Sequence, residues 1–169
     1  MRRASSPQGR GGMWPLFLTA LGVVLADQLS KWGVRSHPEG ETIFQAGFFK
    51  IIRIHNTGSA FGFFQGQSLA LAIVAIFGIA LLLVYAFVIR RRYPSLDNRL
   101  TRITLGLILG GTIGNLIDRI ANLIDPVRFG GITDFISVSI WPAVNIADSA
   151  IVVGVILFVS SLLFSARKQ

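Results

Sequence analysis

The stretch 114–151, GNLIDRIANLIDPVRFGGITDFISVSIWPAVNIADSAI, carries Asp118, Asp125, Asp134 and Asp148, half of the 8 acidic residues in the chain. Two carboxylates brought together cannot both ionise easily, so the pair shares a proton and titrates as a unit. The ionised partner takes a proton from water while the protonated partner polarises a carbonyl. That chemistry hydrolyses a peptide with neither a nucleophilic side chain nor a metal. Asp134 follows an FGG turn and Asp148 opens an apolar run, and the segment between them is short enough to fold back. Each also has a plainer alternative. Asp148 can be a helix cap, because a helix start favours an anion, and Asp134 can be an ordinary loop carboxylate. Asp125, just before Pro126, reads as a turn residue.

Other chemistries find little material. The chain has no cysteine, which removes thiolate catalysis and Cys-based zinc sites. His37 and His55 have no evident serine partner and lack the spacing of metal ligands. No metal and no cofactor are called for.

Two further polar groups sit within apolar surroundings. Asp27 and Lys31 are four residues apart and share a helical face, where pairing lowers the cost of placing charge in a bilayer. They form either a structural ion pair at a helix end, with Lys31 snorkelling, or part of a polar site. Gly106, Gly110 and Gly114 form a small-residue ridge that admits a neighbouring helix. Gly111, Asn115 and either Asp118 or Arg119 follow on an adjacent face. Asp118 and Arg119 can be simple interfacial charges; alternatively, Arg119 can donate to a peptide carbonyl or a lipid head group.

The elements that position these residues follow from composition. Of 169 residues, 52% are hydrophobic and only 14% charged, against about 25% charged in a soluble domain. The expected fold is a single α-helical integral membrane domain, 1–169, with spans at about 14–34, 68–89, 100–120 and 147–164. The apolar run after Arg2, Arg3 and Arg10 also has the shape of a signal peptide, but Asp27 and Lys31 follow it where a small-residue cleavage site would stand. The formal net charge of +8 sits beside apolar runs, so it orients the chain in a membrane rather than marking a nucleic-acid face. With both termini cytoplasmic, the inner side holds Arg2, Arg3, Arg10, Arg90, Arg91, Arg92, Arg99, Arg102, Arg167 and Lys168, with Asp97 as its one acid. The remaining acids then gather at the outer face. Outer segments span 36–67 and 122–145; FFKIIRIHN and ISVSI alternate like short strands, giving a small extramembrane β structure.

ADQLSKW, HNTGSAFGFF, GGTIGNLIDRI, ITDFI and VNIADSAI occur in that order. Together they resemble the bacterial prolipoprotein signal peptidases, or signal peptidase II, over about 14–164. The resemblance implies an aspartyl endopeptidase of the bacterial inner membrane. Such an enzyme removes the signal peptide from a prolipoprotein already carrying diacylglycerol, cutting on the amino side of the lipidated cysteine. It implies Asp134 and Asp148 as the catalytic dyad. Asp27, Lys31, Asn56, Gly58, Ala60, Gly111, Asn115, Asp118, Arg119, Asn145 and Ala147 match the other motif positions, as substrate contacts or supports of the dyad, with Asp118 orienting Arg119. The partners implied are lipid-modified prolipoproteins and membrane lipid, with the enzyme a monomer. Ile132 and Val144 depart from the family's usual Val and Phe but stay apolar. Phe61, Phe63 and Phe64 are placed to form an apolar lip over a substrate. A small proton-coupled transporter, with Asp27 as its central acid, is the rival reading. A non-catalytic assembly factor is a third, and it leaves the two surface aspartates without a task.

Overall fold

The computed structural model describes residues 12–58, 63–89, 92 and 98–166. Ala60, Phe61 and Asp97, and the basic residues Arg2, Arg3, Arg10, Arg90, Arg91, Arg167 and Lys168, lie outside the described residues.

Helix α1 (Trp14–Arg35) opens with Pro15 in its first turn, where a missing N–H costs nothing. A hairpin follows, β1 (Thr42–Ala46) and β2 (Phe49–Asn56), turning through Gly47 at φ 59°. Helix α2 (Ser68–Val84) runs into a π-helical turn, Tyr85–Ile89. Helix α3 (Arg99–Ile124) is capped by Asn98, whose side chain accepts from the Thr101 N–H. A single-turn helix α4 (Pro126–Phe129) is capped by Asp125, which accepts from Arg128 N at 3.0 Å. Strand β3 (Ile132–Val138) and helix α5 (Ile146–Ala166) complete the described chain. The strands form one antiparallel sheet in the order β1-β2-β3, with Ile54 opposite Asp134 and Asn56 opposite Ile132.

Among the described residues, three helices are long and apolar enough to cross a membrane: Ser68–Val88, Arg99–Ile124 and Ile146–Phe164. The expected first span forms a helix of 22 residues, but its second half carries Asp27, Gln28, Lys31 and Arg35. The strand expected from FFKIIRIHN is β2. The strand expected at ISVSI begins earlier, at Ile132, so Asp134 is a strand residue and not a loop carboxylate. Strand β1 was not signalled by the sequence. TIFQA is an edge strand with little buried surface, so no apolar alternation marks it.

Helix α3 is the centre of the bundle, with α1 and α5 packed along it. Side chains at Gly106 and Gly110 would meet the backbone carbonyls of Leu16 and Ala20 at 2.5 and 2.6 Å, so the ridge receives α1 as expected. Gly114 faces the Asp27 carboxylate. Gly111 instead lies against the Ala147 carbonyl and Ile151 of α5. Helix α2 packs chiefly along α3, and its last turn reaches α1 and α5 through the Phe17–Phe87 and Tyr85–Phe158 ring pairs.

The close approach at Gly111 gives a test. In Gly111→Ala the new methyl overlaps a backbone carbonyl, which cannot swing aside, and we expect a loss of about 1–3 kcal/mol. Gly78, with open space where a Cβ would stand, is the control: Gly78→Ala should hold or raise Tm, because alanine favours helix by about 1 kcal/mol over glycine. Thermal unfolding in detergent compares the two; equal Tm values would contradict the packing role.

Candidate active site

Asp134 projects from β3 and Asp148 from the first turn of α5, and asparagines hold both. Asp134 is 2% exposed. Asn56 Nδ2 donates to its Oδ2 at 3.0 Å, and Asn145 Nδ2 donates to its Oδ1 at 2.7 Å. Asn115 Nδ2 donates to Asp148 Oδ1 at 2.7 Å. The Asn145 N–H donates to Asp148 Oδ2 at 3.3 Å, while Asn145 Oδ1 accepts from the Asp148 N–H at 2.9 Å. This reciprocal pair is a capping box built from Asn and Asp. Asn145 therefore caps α5, holds Asp148 through the backbone and grips Asp134 with its amide. Cap and site, alternatives for Asp148 in the sequence, are one arrangement.

Burial pushes the Asp134 carboxyl up to about 7, and the neighbouring charge of Asp148 pushes the same way. Hydrogen bonds from Asn56 and Asn145, and the charge of Lys31, act against that rise.

A buried charge network supports the pair from below. Lys31 and Asp27 are both 0% exposed. Lys31 Nζ reaches Asp27 Oδ2 at 2.7 Å, Asp118 Oδ2 at 2.8 Å and Asn115 Oδ1 at 3.0 Å. Asn115 Oδ1 also accepts from Asn145 Nδ2 at 3.2 Å. Asp27 Oδ1 accepts from the Ala147 N–H at 3.0 Å, satisfying a donor that the start of α5 would otherwise leave buried and unpaired. Ala147 itself is fully buried.

The expectation that Asp118 orients Arg119 is corrected. Asp118 is spent on Lys31 and on Arg35, whose Nη2 lies 2.7 Å from Asp118 Oδ1. Consecutive residues on a helix point about 100° apart, so Asp118 faces α1 while Arg119 faces the loop after β2. There Arg119 Nη2 donates to the Gly58 carbonyl at 2.9 Å, and Gly58 N donates to Asn56 Oδ1 at 2.9 Å. A side chain at Gly58 would strike the Phe63 carbonyl at 2.5 Å, so this turn needs glycine. Arg119 Nη1 is buried with no hydrogen-bond partner among the described residues. Phe63 and Phe64 are 66% and 61% exposed.

Three residues of this site had not been singled out. Gln28 Nε2 donates to the Gly114 carbonyl at 3.0 Å and to Asp27 at 3.1 Å. Arg35 extends the face of Asp27 and Lys31 by one more step of four, which was a readable signal. Thr133, which accepts from Arg35 Nε at 2.9 Å, carried none. His37 and His55 pair with Glu41 and Glu39, at 3.3 and 3.1 Å.

Known proteins resemble this chain in sequence and in fold. The chain is 48% identical over 139 residues to a lipoprotein signal peptidase of Dehalococcoides mccartyi, covering 82% of this chain and 81% of the relative. It is 38% identical to one from Moorella thermoacetica, covering 92% and 97%. A solved structure described as a bacterial membrane enzyme superposes with a TM-score of 0.79 at 27% identity, covering 91% of this chain and 90% of the other. A second with the same description has a TM-score of 0.77 at 26% identity, covering 94% and 98%. With its residues 19–164 matching the family described as Signal peptidase (SPase) II, the chain belongs to that family, whose members are membrane peptidases.

Proposed function

We propose that the chain removes signal peptides from diacylglyceryl-modified prolipoproteins, cutting on the amino side of the lipidated cysteine, with Asp134 and Asp148 as the catalytic pair. The observation that carries this reading is Asn145, which holds both carboxylates with one side chain and its own backbone N–H. One aspartate, ionised, takes a proton from water; the other, protonated, donates to the scissile carbonyl. Nη1 of Arg119, without a hydrogen-bond partner among the described residues, is a donor for a substrate peptide carbonyl, and Asn56 and Asn115 keep the carboxylates oriented.

In this reading α1 is the first of four membrane spans, both termini are cytoplasmic and the sheet lies outside, so the site stands at the outer surface of the bacterial cytoplasmic membrane. The lipid of the substrate stays in the bilayer, and the signal peptide lies between α2 and α5, whose ring contact is at the far end of α2 from the site. Phe63 and Phe64 form part of the lip above it, and the enzyme works as a single-domain monomer. The transporter reading does not hold: Asp27 is committed to Lys31 and to the first turn of α5, and is not free to take up a proton or a cation in turn.

The test is cleavage of a diacylglyceryl prolipoprotein in detergent, with the unlipidated precursor as control. Failure to cut the lipidated protein would refute the reading. Its pH profile is a further prediction. The active pair carries one proton, and the Asp134 proton leaves at about 7. Raising the pH through that value strips the pair to two charges, so kcat/KM should fall on the alkaline side with a slope of one ionisation. A rate rising steadily from pH 6 to 9 would contradict the shared proton.

A further inference from the structure

Arg35 ends α1 where the outer elements converge. Its Nε donates to Thr133 Oγ1 at 2.9 Å and its Nη2 to Asp118 Oδ1 at 2.7 Å. The guanidinium lies 5.4 Å from the centroid of the Phe129 ring, and the Arg35 carbonyl accepts from Arg53 Nη1 at 2.9 Å. One residue at the end of a membrane helix thus reaches α3, α4, β2 and β3. Thr133 and Asp118 are both 0% exposed, so water does not compete for their side of the fork.

Thr133 immediately precedes Asp134, and successive side chains on a strand point to opposite faces. Arg35 holds the Thr133 hydroxyl on one face, while Asn56 and Asn145 hold the Asp134 carboxylate on the other. For β3 to roll about its axis and re-aim Asp134, the Thr133 tether must break. The other arm of the fork grips Asp118, one turn along α3 from Asn115, the donor to Asp148. The guanidinium therefore references the strand that carries one aspartate to the helix that steadies the other.

We propose that Arg35 is a positioning residue for the cleavage reaction, its fork on Thr133 and Asp118 setting the orientation of Asp134 relative to Asp148. The inference rests on the assignment of those two aspartates as the catalytic pair. Lysine does not substitute, because an ammonium lacks the planar fork that spans two acceptors.

Thr133→Val is the decisive variant. It removes only the acceptor, suits a strand and leaves the Arg35–Asp118 pair in place. We expect kcat to fall about tenfold, within the roughly 100-fold that a 1 Å misplacement costs, with KM within about twofold; Tm drops because Arg35 Nε loses its acceptor, but unfolding stays cooperative. Arg35→Lys should lose kcat to a similar degree, and the double variant should be no slower than the slower single, since both cut one link. A parental kcat in Thr133→Val, a change confined to KM, or additive losses in the double would overturn the proposal and leave Arg35 as a charge partner for Asp118 alone. Asp134→Asn and Asp148→Asn run in the same assay separate the two failures. If they abolish cleavage while Thr133→Val cuts at the parental rate, only the role of Arg35 falls. If they retain cleavage, the catalytic pair itself is wrong.

Discussion

Asp134→Asn and Asp148→Asn should each abolish cleavage of a lipidated prolipoprotein, lowering kcat about 1,000-fold or more while the protein still folds. With both groups in one proton relay, as proposed above, removing either removes the whole step, and the double variant should be no slower than the slower single. The size of the loss needs protecting from a trivial cause. Asp134 accepts at both oxygens, from Asn56 and from Asn145. An asparagine there must turn its NH2 toward one of those donors, which costs about 1–3 kcal/mol. Tm should therefore drop, but unfolding should stay cooperative. Affinity for uncleaved lipidated substrate should remain within a few-fold, because a binding defect cannot produce a loss confined to kcat. A single variant that still cuts at more than a tenth of the parental rate would remove that aspartate from the pair.

The site was readable as far as residue type and helical spacing reach. Asp27 with Lys31, and Asn115 with the end of α3, follow the helical repeat, and the structure brings them together at one ammonium. The glycine ridge was also readable, since only glycine admits the Leu16 and Ala20 carbonyls so closely. Long-range pairing was not. Whether Asp118 turns to its neighbour Arg119 or to Lys31 depends on how α1 lies on α3, and no local pattern records that. The loop alternative for Asp134 fails because β3 begins at Ile132, ahead of the alternation that marked ISVSI, and that first part gains its order from pairing with β2. Asp148 was left open between a cap and a site residue, and the structure shows that the residues that start α5 also hold both carboxylates.

The same coupling makes Lys31 the most costly single loss for folding. Its ammonium is wholly buried and stands between Asp27 and Asp118, with Arg35 as the second cation on Asp118. Lys31→Met leaves two buried carboxylates to one guanidinium, and breaking a buried pair in this way costs about 3–5 kcal/mol. Activity should fall as well, by about 100-fold, since Asn115 keeps only the longer of the two donors on its carbonyl oxygen, that of Asn145, and its amide holds Asp148 less firmly. Lys31 also lowers the Asp134 carboxyl from where burial would otherwise leave it, so the alkaline limb of the remaining activity should move above pH 7. Asp27→Leu/Lys31→Met separates fold from function. It removes one charge of each sign and leaves Asp118 paired with Arg35, and a buried pair replaced by apolar groups of similar volume regains stability. Tm should recover toward the parent, whereas cleavage should not. The Ala147 N–H loses its acceptor and Asn115 still lacks the ammonium, so the start of α5 no longer presents Asp148 in register with Asp134. A double variant that recovered both Tm and turnover would reduce the Asp27–Lys31 pair to packing. Recovery of Tm alone would show that the buried charges serve the geometry of the two carboxylates.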